Sequence, residues 1–196
     1  MKEDTNITET LFAEEDTSVR FEAEVINFLP IETGEKYILD VCCGGRQFWF
    51  TKKHKHTVYM DMRRKNKGFQ DNRPNKEIKP DIQGDFRRLP FPDEKFKLVI
   101  MDPPHIIADG PLFRMTKEYG WLEQDTWFDD IRKGVRECWR VLDLYGIFIF
   151  KWNEASIDRA TVLEAIKWKP LFGHPVLSKI GTHWFTFMKT DRQKYL

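Results

Sequence analysis

The chain has 196 residues, enough for one α/β domain with a substantial core but too few for two. Hydrophobic residues make up 41% and aromatic residues 14%, a globular composition that excludes a disordered or fibrous protein. The formal net charge is +1, so overall charge does not indicate a nucleic-acid-binding protein, although local basic patches still could.

Cysteine content and hydropathy limit the cellular setting. Cys42, Cys43 and Cys138 form no CxxC pattern, which argues against a disulfide framework or a structural zinc site, and we expect no metal. This usage favours a reducing, cytoplasmic environment. The N-terminus is polar and acidic, unlike a signal peptide, and the longest apolar run is broken by charged residues, so no membrane span is expected.

The first part of the chain predicts an arm and a helix. Residues 1–18 are polar and acidic and are interpreted as an N-terminal arm. A helix is predicted from Val19 to Phe28, ending before Pro30. No internal repeat or low-complexity linker follows, so residues 1–196 are interpreted as a single domain.

Alternating strand and helix patterns dominate the rest of the chain. They predict an α/β fold with a mostly parallel sheet and helices on both faces. A closing pair of strands joined near Gly181 is expected at the C-terminal end. The predicted strands are Tyr37–Val41, Thr57–Asp61, a weak strand ending at Ile82, Phe96–Met101, Gly146–Phe150, Val176–Ser178 and Thr182–Lys189.

Three helices are expected between these strands. One begins near Gln47, directly after the first strand turn. Another has Asp125 as its N-cap. A third runs from Ile157 to Trp168 and stops before Pro170. The apolar face of the second helix has residues at helical spacing: Trp127, Phe128, Ile131, Val135, Cys138, Trp139 and Leu142.

Polar residues follow each predicted parallel strand. Asp40, Asp61, Asp85, Asp102 and Lys151 all stand at or just beyond a strand end. In an open parallel sheet, ligands bind outside the carboxyl ends of the strands. No single residue here is decisive, but their common position predicts one ligand site at this edge.

The first two strand ends suit a nucleoside-type ligand. The turn after Asp40, Cys42-Cys43-Gly44-Gly45, offers small residues where a backbone must approach a ligand closely. Asp61, followed by Met62, lies about twenty residues further on, where an acid commonly binds ribose hydroxyls. Taken alone, each of these features also fits an ordinary turn or a surface acid.

The third strand end, Gly84-Asp85-Phe86, suits a planar base. Asp85 is positioned to accept a hydrogen bond from an adenine amino group, and Phe86 to pack against the ring. The alternative interpretation of Asp85 is a capping acid in a loop.

The sequence Asp102-Pro103-Pro104-His105 is the most informative. Two prolines fix the backbone and remove two N–H donors, which leaves carbonyl oxygens and the Asp102 carboxylate as acceptors. An amine nucleophile needs such acceptors, because its N–H groups donate to them and its lone pair then faces an electrophilic methyl group. The ring of His105 is positioned to stack on a planar base. The alternative is a proline-rich strand exit with a loop histidine.

Together these residues resemble class I S-adenosylmethionine-dependent methyltransferases, from about Lys36 to Lys189. Asp102 to His105 is similar to the Asp-Pro-Pro-Tyr motif of amino-methyltransferases that act on adenine N6 or related exocyclic nitrogens. The stretches Tyr119–Gly120 and Lys151–Glu154 look like those of small phage-type members of this class. The resemblance implies a Rossmann-like three-layer sandwich, with a mostly parallel seven-stranded sheet and an antiparallel C-terminal strand.

The resemblance also implies a role for each site residue. Asp40 and the turn Cys42–Gly45 would line the methionine end of S-adenosylmethionine, Asp61 would hold the ribose, and Asp85 with Phe86 the adenine. Asp102 and the Pro103 carbonyl would orient the substrate nitrogen, and His105 would stack. Cys42 and Arg46 replace glycines that the family usually has in the first turn, so Arg46 must point away or toward the cofactor carboxylate. His105 replaces Tyr, Phe or Trp.

Substrate contacts are expected from two regions. The segment 106–124 is long for a strand-to-helix connection and is predicted to form a lid over the substrate, with Arg114 and Tyr119 as contacts. Lys151 and Asn153 after the fifth strand are the other candidates. Only this loop and the N-terminal arm could serve sequence recognition, so strong specificity for a DNA site would need a partner.

A basic cluster around the second strand could follow phosphates, although a solvated surface is an equal alternative. His54 and His56 lie within it, and two such ligands without a third are more often loop residues than a metal site. The cluster comprises Lys52, Lys53, Lys55, Arg63, Arg64, Lys65 and Lys67.

Four functions are compatible with these patterns. The favoured one is methyl transfer to an exocyclic amine, with adenine in DNA or RNA as the substrate. The second keeps the class but has a small molecule or a protein side chain as substrate and His105 as the base. A nicotinamide-dependent oxidoreductase lacks its GxGxxG turn and gives Asp-Pro-Pro no role. The fourth is a non-catalytic S-adenosylmethionine-binding module.

Overall fold

The structure, a computed structural model, describes residues 35–70, 72–110, 114–173 and 181–190. These residues belong to one compact unit, Gly34–Leu196. The predicted arm 1–18, the predicted helix Val19 to Phe28 and the predicted strand Val176–Ser178 lie outside the described residues.

Seven strands form one sheet in the order β3-β2-β1-β4-β5-β7-β6. The pairs among β1 to β5 are parallel, whereas β7 is antiparallel to both β5 and β6. This confirms the expected α/β, Rossmann-like, mostly parallel sheet with an antiparallel C-terminal strand. The strands are β1 (Ile38–Asp40), β2 (Thr57–Asp61), β3 (Ile82–Gln83), β4 (Phe96–Met101), β5 (Leu142–Asn153), β6 (Phe172–Gly173) and β7 (Thr182–Met188).

The register of the central strands brings the predicted polar residues to one edge. Asp40, the last residue of β1, pairs with Tyr59 of β2 and Ile100 of β4. Asp61 therefore lies two residues beyond the pairing partner of Asp40 on one side, and Asp102 two residues beyond it on the other. The strand order reverses at β1 and β4, which is where a ligand crevice opens in this kind of sheet.

Three helices are described: α1 (Arg114–Tyr119), α2 (Trp127–Val141) and α3 (Arg159–Ile166). Helix α2 packs on β4 and β5, and α3 packs against α2. The core lies between these elements, with Val99, Ile131, Trp139 and Phe148 all fully buried. Burying such side chains stabilises the fold by about 1.5–3 kcal/mol each.

Gly134 allows α2 to approach the sheet closely. A Cβ atom at this position would lie 2.4 Å from the Phe86 ring and 2.7 Å from the methyl group of Met101. Distances under about 3 Å do not occur between real atoms of this kind, so the two side chains occupy the space that any larger residue would need. Phe86 is buried in the core cluster and is fixed by this contact.

The ends of α2 differ from the sequence prediction. The N-cap is Thr126 rather than Asp125, and it forms no side-chain capping bond. Its hydroxyl group instead donates to Asp130 at 2.9 Å, inside the first turn. Leu142, predicted on the helix face, is the first residue of β5 because it pairs with Phe96 of β4. In α3, Asp158 caps the helix by accepting the Thr161 N–H at 3.0 Å.

The helix predicted near Gln47 does not form. Residues 41–56, all of them described, make successive turns between β1 and β2. Three aromatic residues in a row, Phe48 to Phe50, followed by a cluster of lysines, give no apolar stripe at helical spacing. Trp49 instead turns its indole N–H back to Asp40. Among the described residues, no helix is long and apolar enough to cross a membrane.

Candidate active site

Two adjoining cavities open at the carboxyl ends of β1, β2 and β4. The first, here called the polar cavity, has a volume of about 480 Å³, and the second, the apolar cavity, about 290 Å³. Both are lined by Cys42, Arg63, Asp102, Pro104 and Tyr119, which form their common wall. The cavities together therefore make one cleft at the edge that the sequence predicted.

The Asp102 turn forms one side of the polar cavity. Asp102 follows the last residue of β4, and its Oδ2 accepts a hydrogen bond from Lys151 Nζ at 2.5 Å. Lys151 comes from β5, and its ammonium group lies 5.7 Å from the ring centroids of both Phe48 and Trp184. Burial raises the pKa of Asp102, whereas the Lys151 cation acts in the opposite direction. The carboxyl group is thus shared between an ion pair and the open cavity.

His105 lies in the same wall as a half-buried ring. Pro103, Pro104 and His105 all line the polar cavity, as the sequence predicted. Burial, together with the nearby Lys151 cation, lowers the pKa of His105 below its ordinary value of 6.5. The imidazole is therefore neutral at pH 7, which suits stacking and also leaves a nitrogen free to accept a proton.

The Asp40 carboxyl group is held quite differently. Asp40 is fully buried, and its Oδ2 accepts the Trp49 indole N–H at 2.7 Å. Its Oδ1 is buried without a hydrogen-bond partner among the described residues. Burial raises its pKa to about 8, and the nearby carboxyl group of Asp102 adds to the effect. Asp40 does not itself line either cavity, and at pH 7 it is mostly protonated.

The turn after β1 does line the polar cavity, through Cys42, Cys43, Gly44 and Gly45. Gly44 has a positive φ of 47°, a conformation that glycine adopts without strain, and its N–H points at Asp61 Oδ2 from 2.8 Å. Burial raises the pKa of both cysteine thiols, so neither is a reactive thiolate at neutral pH.

Asp61 is buried at the end of β2 and is bound by Arg63. Its Oδ1 accepts from the backbone N–H and Nε of Arg63 at 2.8 and 3.0 Å, and its Oδ2 accepts from a terminal guanidinium nitrogen at 3.2 Å. Arg63 also donates to the Glu118 carbonyl at 2.9 Å, which links β2 to α1. The carboxylate predicted to hold a ribose is therefore engaged by an arginine in this structure.

Asp85 and Phe86 are adjacent in the chain, but only Phe86 lines a cavity. Phe86 lines the apolar cavity together with Met62 and Asp61. Asp85 lines neither cavity, since its carboxylate accepts bonds at 2.7–3.0 Å from the guanidinium and backbone N–H of Arg87. Partial burial acts to raise the pKa of Asp85, but the bonds from Arg87 outweigh it and the pKa is lowered.

Of the four predicted substrate contacts, two line a cavity and two do not. Tyr119 lines both cavities and Lys151 lines the polar one. Arg114 is exposed at the start of α1 and lines neither cavity. Asn153 is used locally, since it donates to Thr182 Oγ1 at 3.1 Å and accepts the Ala155 N–H at 3.0 Å.

The segment 106–124 contains more regular structure than a plain loop. Its ends are joined by backbone bonds, with the Ala108 N–H donating to Leu122 at 3.0 Å and the Leu122 N–H to Ile106 at 2.9 Å. Helix α1 lies between them and presents Met115, Glu118 and Tyr119 to the polar cavity.

Several residues of the cleft were not predicted from the sequence. Glu118 is buried and binds Arg73 at 3.0 Å and Lys76 at 2.5 Å. These two cations come from the connection between β2 and β3, and Lys76 also lines the polar cavity. Nothing in the sequence distinguishes Glu118 from a solvated acid, because its partners lie more than forty residues away along the chain.

Arg46 and the two histidines lie outside the cleft. Arg46 points away from it, with its guanidinium carbon 3.7 Å from the centre of the Tyr59 ring. His54 and His56 bond to Thr57 Oγ1 at 3.1 Å and to the Glu35 carbonyl at 2.9 Å, respectively. The described residues contain no group of three or more His, Cys, Asp or Glu that could hold a metal ion.

The sequence matches no protein-family model and no curated protein. Solved structures of similar fold include PH0226 from Pyrococcus horikoshii OT3, with 16% identity over 78% of this chain and 81% of that one and a TM-score of 0.46. An S-adenosylmethionine-dependent methyltransferase from Mesorhizobium loti has 12% identity over 81% and 94%, with a TM-score of 0.44. TTHA0409 from Thermus thermophilus, a candidate DNA modification methylase complexed with S-adenosyl-L-methionine, has 16% identity over 58% and 56%, with a TM-score of 0.39.

Proposed function

We propose that this chain is an S-adenosylmethionine-dependent methyltransferase that acts on an exocyclic amine, with adenine N6 in DNA or RNA as its substrate. The observation that carries the proposal is the Asp102 turn. Asp102, Pro103 and Pro104 line the polar cavity, directly beside an apolar cavity that has Asp61 at its edge.

The apolar cavity fits the nucleoside part of S-adenosylmethionine. Phe86 and Met62 offer apolar surface for an adenine ring, and Asp61 is the carboxylate for the ribose hydroxyls. Gly44 and Gly45 allow close approach of the methionine part at the rim of the polar cavity. Asp40 lines neither cavity and is mostly protonated at pH 7, so we assign it a structural role behind this rim rather than a direct contact with the cofactor.

Binding of a ribose at Asp61 requires an exchange. The guanidinium group of Arg63 occupies both carboxylate oxygens, so it must leave at least one of them. Its bond to the Glu118 carbonyl keeps it in the common wall of the cavities when it does so. We assign adenine contacts to Phe86 rather than to the Asp85 carboxylate, which Arg87 already binds.

Asp102 and Pro103 orient the substrate nitrogen. When bound, S-adenosylmethionine supplies an electrophilic methyl group on a positively charged sulfur. The Asp102 carboxylate and the Pro103 carbonyl accept the N–H groups of the amine, which leaves its lone pair facing the methyl group. The bound cofactor would supply its methyl group to the nitrogen, and the Asp102 carboxylate would accept the proton that the nitrogen releases. Burial raises the pKa of Asp102 and prepares it for this proton.

Lys151 positions Asp102. It donates to Oδ2, and we assign contact with the substrate to the other carboxylate oxygen. Its charge opposes the effect of burial on the Asp102 pKa and so favours the ionised carboxylate. Tyr119 and Met115, carried by α1, would cover the substrate from the segment 106–124, and we propose that this segment acts as the lid.

A second candidate keeps the cofactor but gives His105 the role of base toward a small molecule or a protein side chain. It is favoured by the lowered pKa of His105, which keeps a nitrogen free for a proton at neutral pH.

The proposed function is tested by methyl incorporation. Purified protein and labelled S-adenosylmethionine are incubated with DNA, RNA, protein and metabolite fractions, and calorimetry measures binding of the unlabelled cofactor. We expect label on nucleic-acid adenine, and no label with Asp102→Ala, which should still bind the cofactor with a Kd within about threefold, since Asp102 acts on the substrate. Full activity of Asp102→Ala would refute the mechanism. Absence of cofactor binding at millimolar concentration would refute the enzyme assignment.

A further inference from the structure

A third cavity, here called the basic groove, adjoins the polar cavity. Its volume is about 850 Å³, and it shares Gly44, Gly45 and Lys76 with the polar cavity, so the two are continuous across the first turn. The groove is bounded by the turns between β1 and β2 and by the connection that leads to β3.

The charge of this part of the chain contrasts with the rest. Residues 46–79 contain eleven lysines and arginines against three acids, a net charge of +8, whereas the whole chain carries +1. The remaining residues therefore carry −7. Such a concentration of cations gives this segment a local positive potential, which attracts polyanions.

Three lysines of the groove are free to bind a ligand. Lys53, Lys55 and Lys79 are exposed, and their ammonium groups make no hydrogen bond or ion pair with any described residue. The acid Asp81 is already neutralised, since it contacts Lys36 at 3.4 Å and Arg46 at 3.3 Å. The groove thus has more cations than acids that could pair with them, and the unpaired lysines are exposed to solvent.

An exposed aromatic residue precedes these lysines in the chain. Phe50 is completely exposed, the most exposed large apolar side chain of the described residues, two positions before Lys52. A phenylalanine exposed in this way lacks the roughly 1.5–3 kcal/mol of stabilisation that burial of its side chain would give. A stacked partner that covers the ring would supply part of this stabilisation. A positive groove with an adjacent exposed aromatic ring is the combination that binds a single nucleic-acid strand.

We propose that the basic groove binds the phosphate backbone of an unpaired nucleic-acid strand, with a base stacked on Phe50. The inference deepens and rests on the proposed function: the strand would bring a neighbouring base past Lys76, which lines both spaces, into the polar cavity, where Asp102 and His105 lie. A base must leave its duplex partner to enter such a cavity, and an unpaired strand carries no cost for this step.

The test measures the affinity of the full-length protein for a fluorescent 20-nucleotide single-stranded DNA by anisotropy at several salt concentrations, without cofactor. The variant is Lys53→Ala/Lys55→Ala. The matched control is Lys133→Ala/Lys169→Ala, which removes two exposed lysines of α2 and of the segment after α3 and changes the net charge equally. We expect about tenfold weaker binding at 150 mM salt and a salt slope reduced by about 1.4 for the groove variant only.

Phe50→Ala separates stacking from charge. It should weaken binding about tenfold and leave the salt slope unchanged, because a stacked base is worth about 1–3 kcal/mol and releases no counterion. Equal losses in the groove variant and its control would overturn the proposal. So would tighter binding to the corresponding duplex, or tighter binding to vesicles with 30% anionic lipid than to the strand.

Failure of this inference and failure of the proposed function are distinguishable. Strand binding that depends on Lys53 and Lys55, without any cofactor binding, would support the groove and refute the methyltransferase. Methyl transfer to a small molecule, together with equal strand affinities of the groove variant and its control, would support the enzyme and refute the groove.

Discussion

The turns after β1 and β4 lie on neighbouring strands and begin at an aspartate, yet their carboxyl groups are held in opposite ways. Asp40 is fully buried, bound by one indole N–H, and burial raises its pKa to about 8. Asp102 is only partly buried and is paired with Lys151. The same position in the sheet thus gives a neutral carboxyl group in one turn and an ion-paired one in the next, and only the second faces a cavity.

The largest effect is expected at Asp102. Asp102→Asn should reduce methyl transfer about 10³-fold, because an amide can neither accept the proton nor attract the amine with a charge. Its melting temperature should change by less than about 3 °C, since a partly exposed ion pair contributes little to stability. Steady-state kinetics and calorimetric unfolding measure both. Retained activity would show that the Asp102 carboxylate is not required. The Asp40 and Asp102 turns would then not differ in function.

Asp40 should instead respond in stability, and in a pH-dependent way. Its pKa is raised in the folded state, so between about pH 4 and 8 the unfolded chain ionises while the folded protein stays protonated, and stability falls as pH rises. Asp40→Asn still accepts the Trp49 N–H but does not ionise. Between pH 5 and pH 9 it should gain about 2–4 kcal/mol relative to the wild type in urea unfolding. A pH-independent difference would contradict the assigned environment.

His105 tests what the Asp102 turn recognises. His105→Ala should lose about 1–3 kcal/mol of transition-state stabilisation, since a stacked ring is removed, whereas His105→Phe should retain activity within about threefold. The pair is compared by kcat/KM at pH 7.5. Equal losses in both variants would favour the second candidate, with His105 as the base.

The smallest expected effect is a change in the pH dependence of activity when Lys151 is substituted. Its cation lowers the pKa of Asp102 against the effect of burial, so Lys151→Met should raise that pKa and move the acid limb of the activity profile to higher pH. Lys151→Arg keeps the charge and serves as the control. An unchanged acid limb in Lys151→Met would show that Asp102 does not depend on this pair.

The sheet and the position of the site could be predicted because both follow from local patterns. Apolar runs that end in an acid mark β1, β2 and β4, and the topology brings their ends together. The Asp102 turn was found because two prolines after a buried strand are unusual and have a direct chemical effect.

The features that the sequence did not predict depend on side-chain partners. Some of these partners are not indicated by a local pattern, and others bind an acid for which a different role was expected. The predicted helix near Gln47 does not form because the Trp49 indole N–H donates to the buried Asp40 carboxyl group. No local sequence pattern indicates this hydrogen bond. Arg63 was assigned to a basic surface, but it binds Asp61 two residues before it. Arg87 likewise binds Asp85. In both cases the sequence identified the acid but not the adjacent arginine that engages it.

The tight fit at Gly134 couples the apolar cavity to the core. Phe86 is both a wall of the apolar cavity and a neighbour of α2, with no free space behind it. The width of the pocket is therefore set from its rear side, by a helix residue that a bound ligand would not touch. Enlarging Gly134 would push Phe86 toward the ligand, and trimming Met101 would let it retreat, so the selectivity of the pocket can be adjusted by substitutions in the interior without altering any residue on its surface.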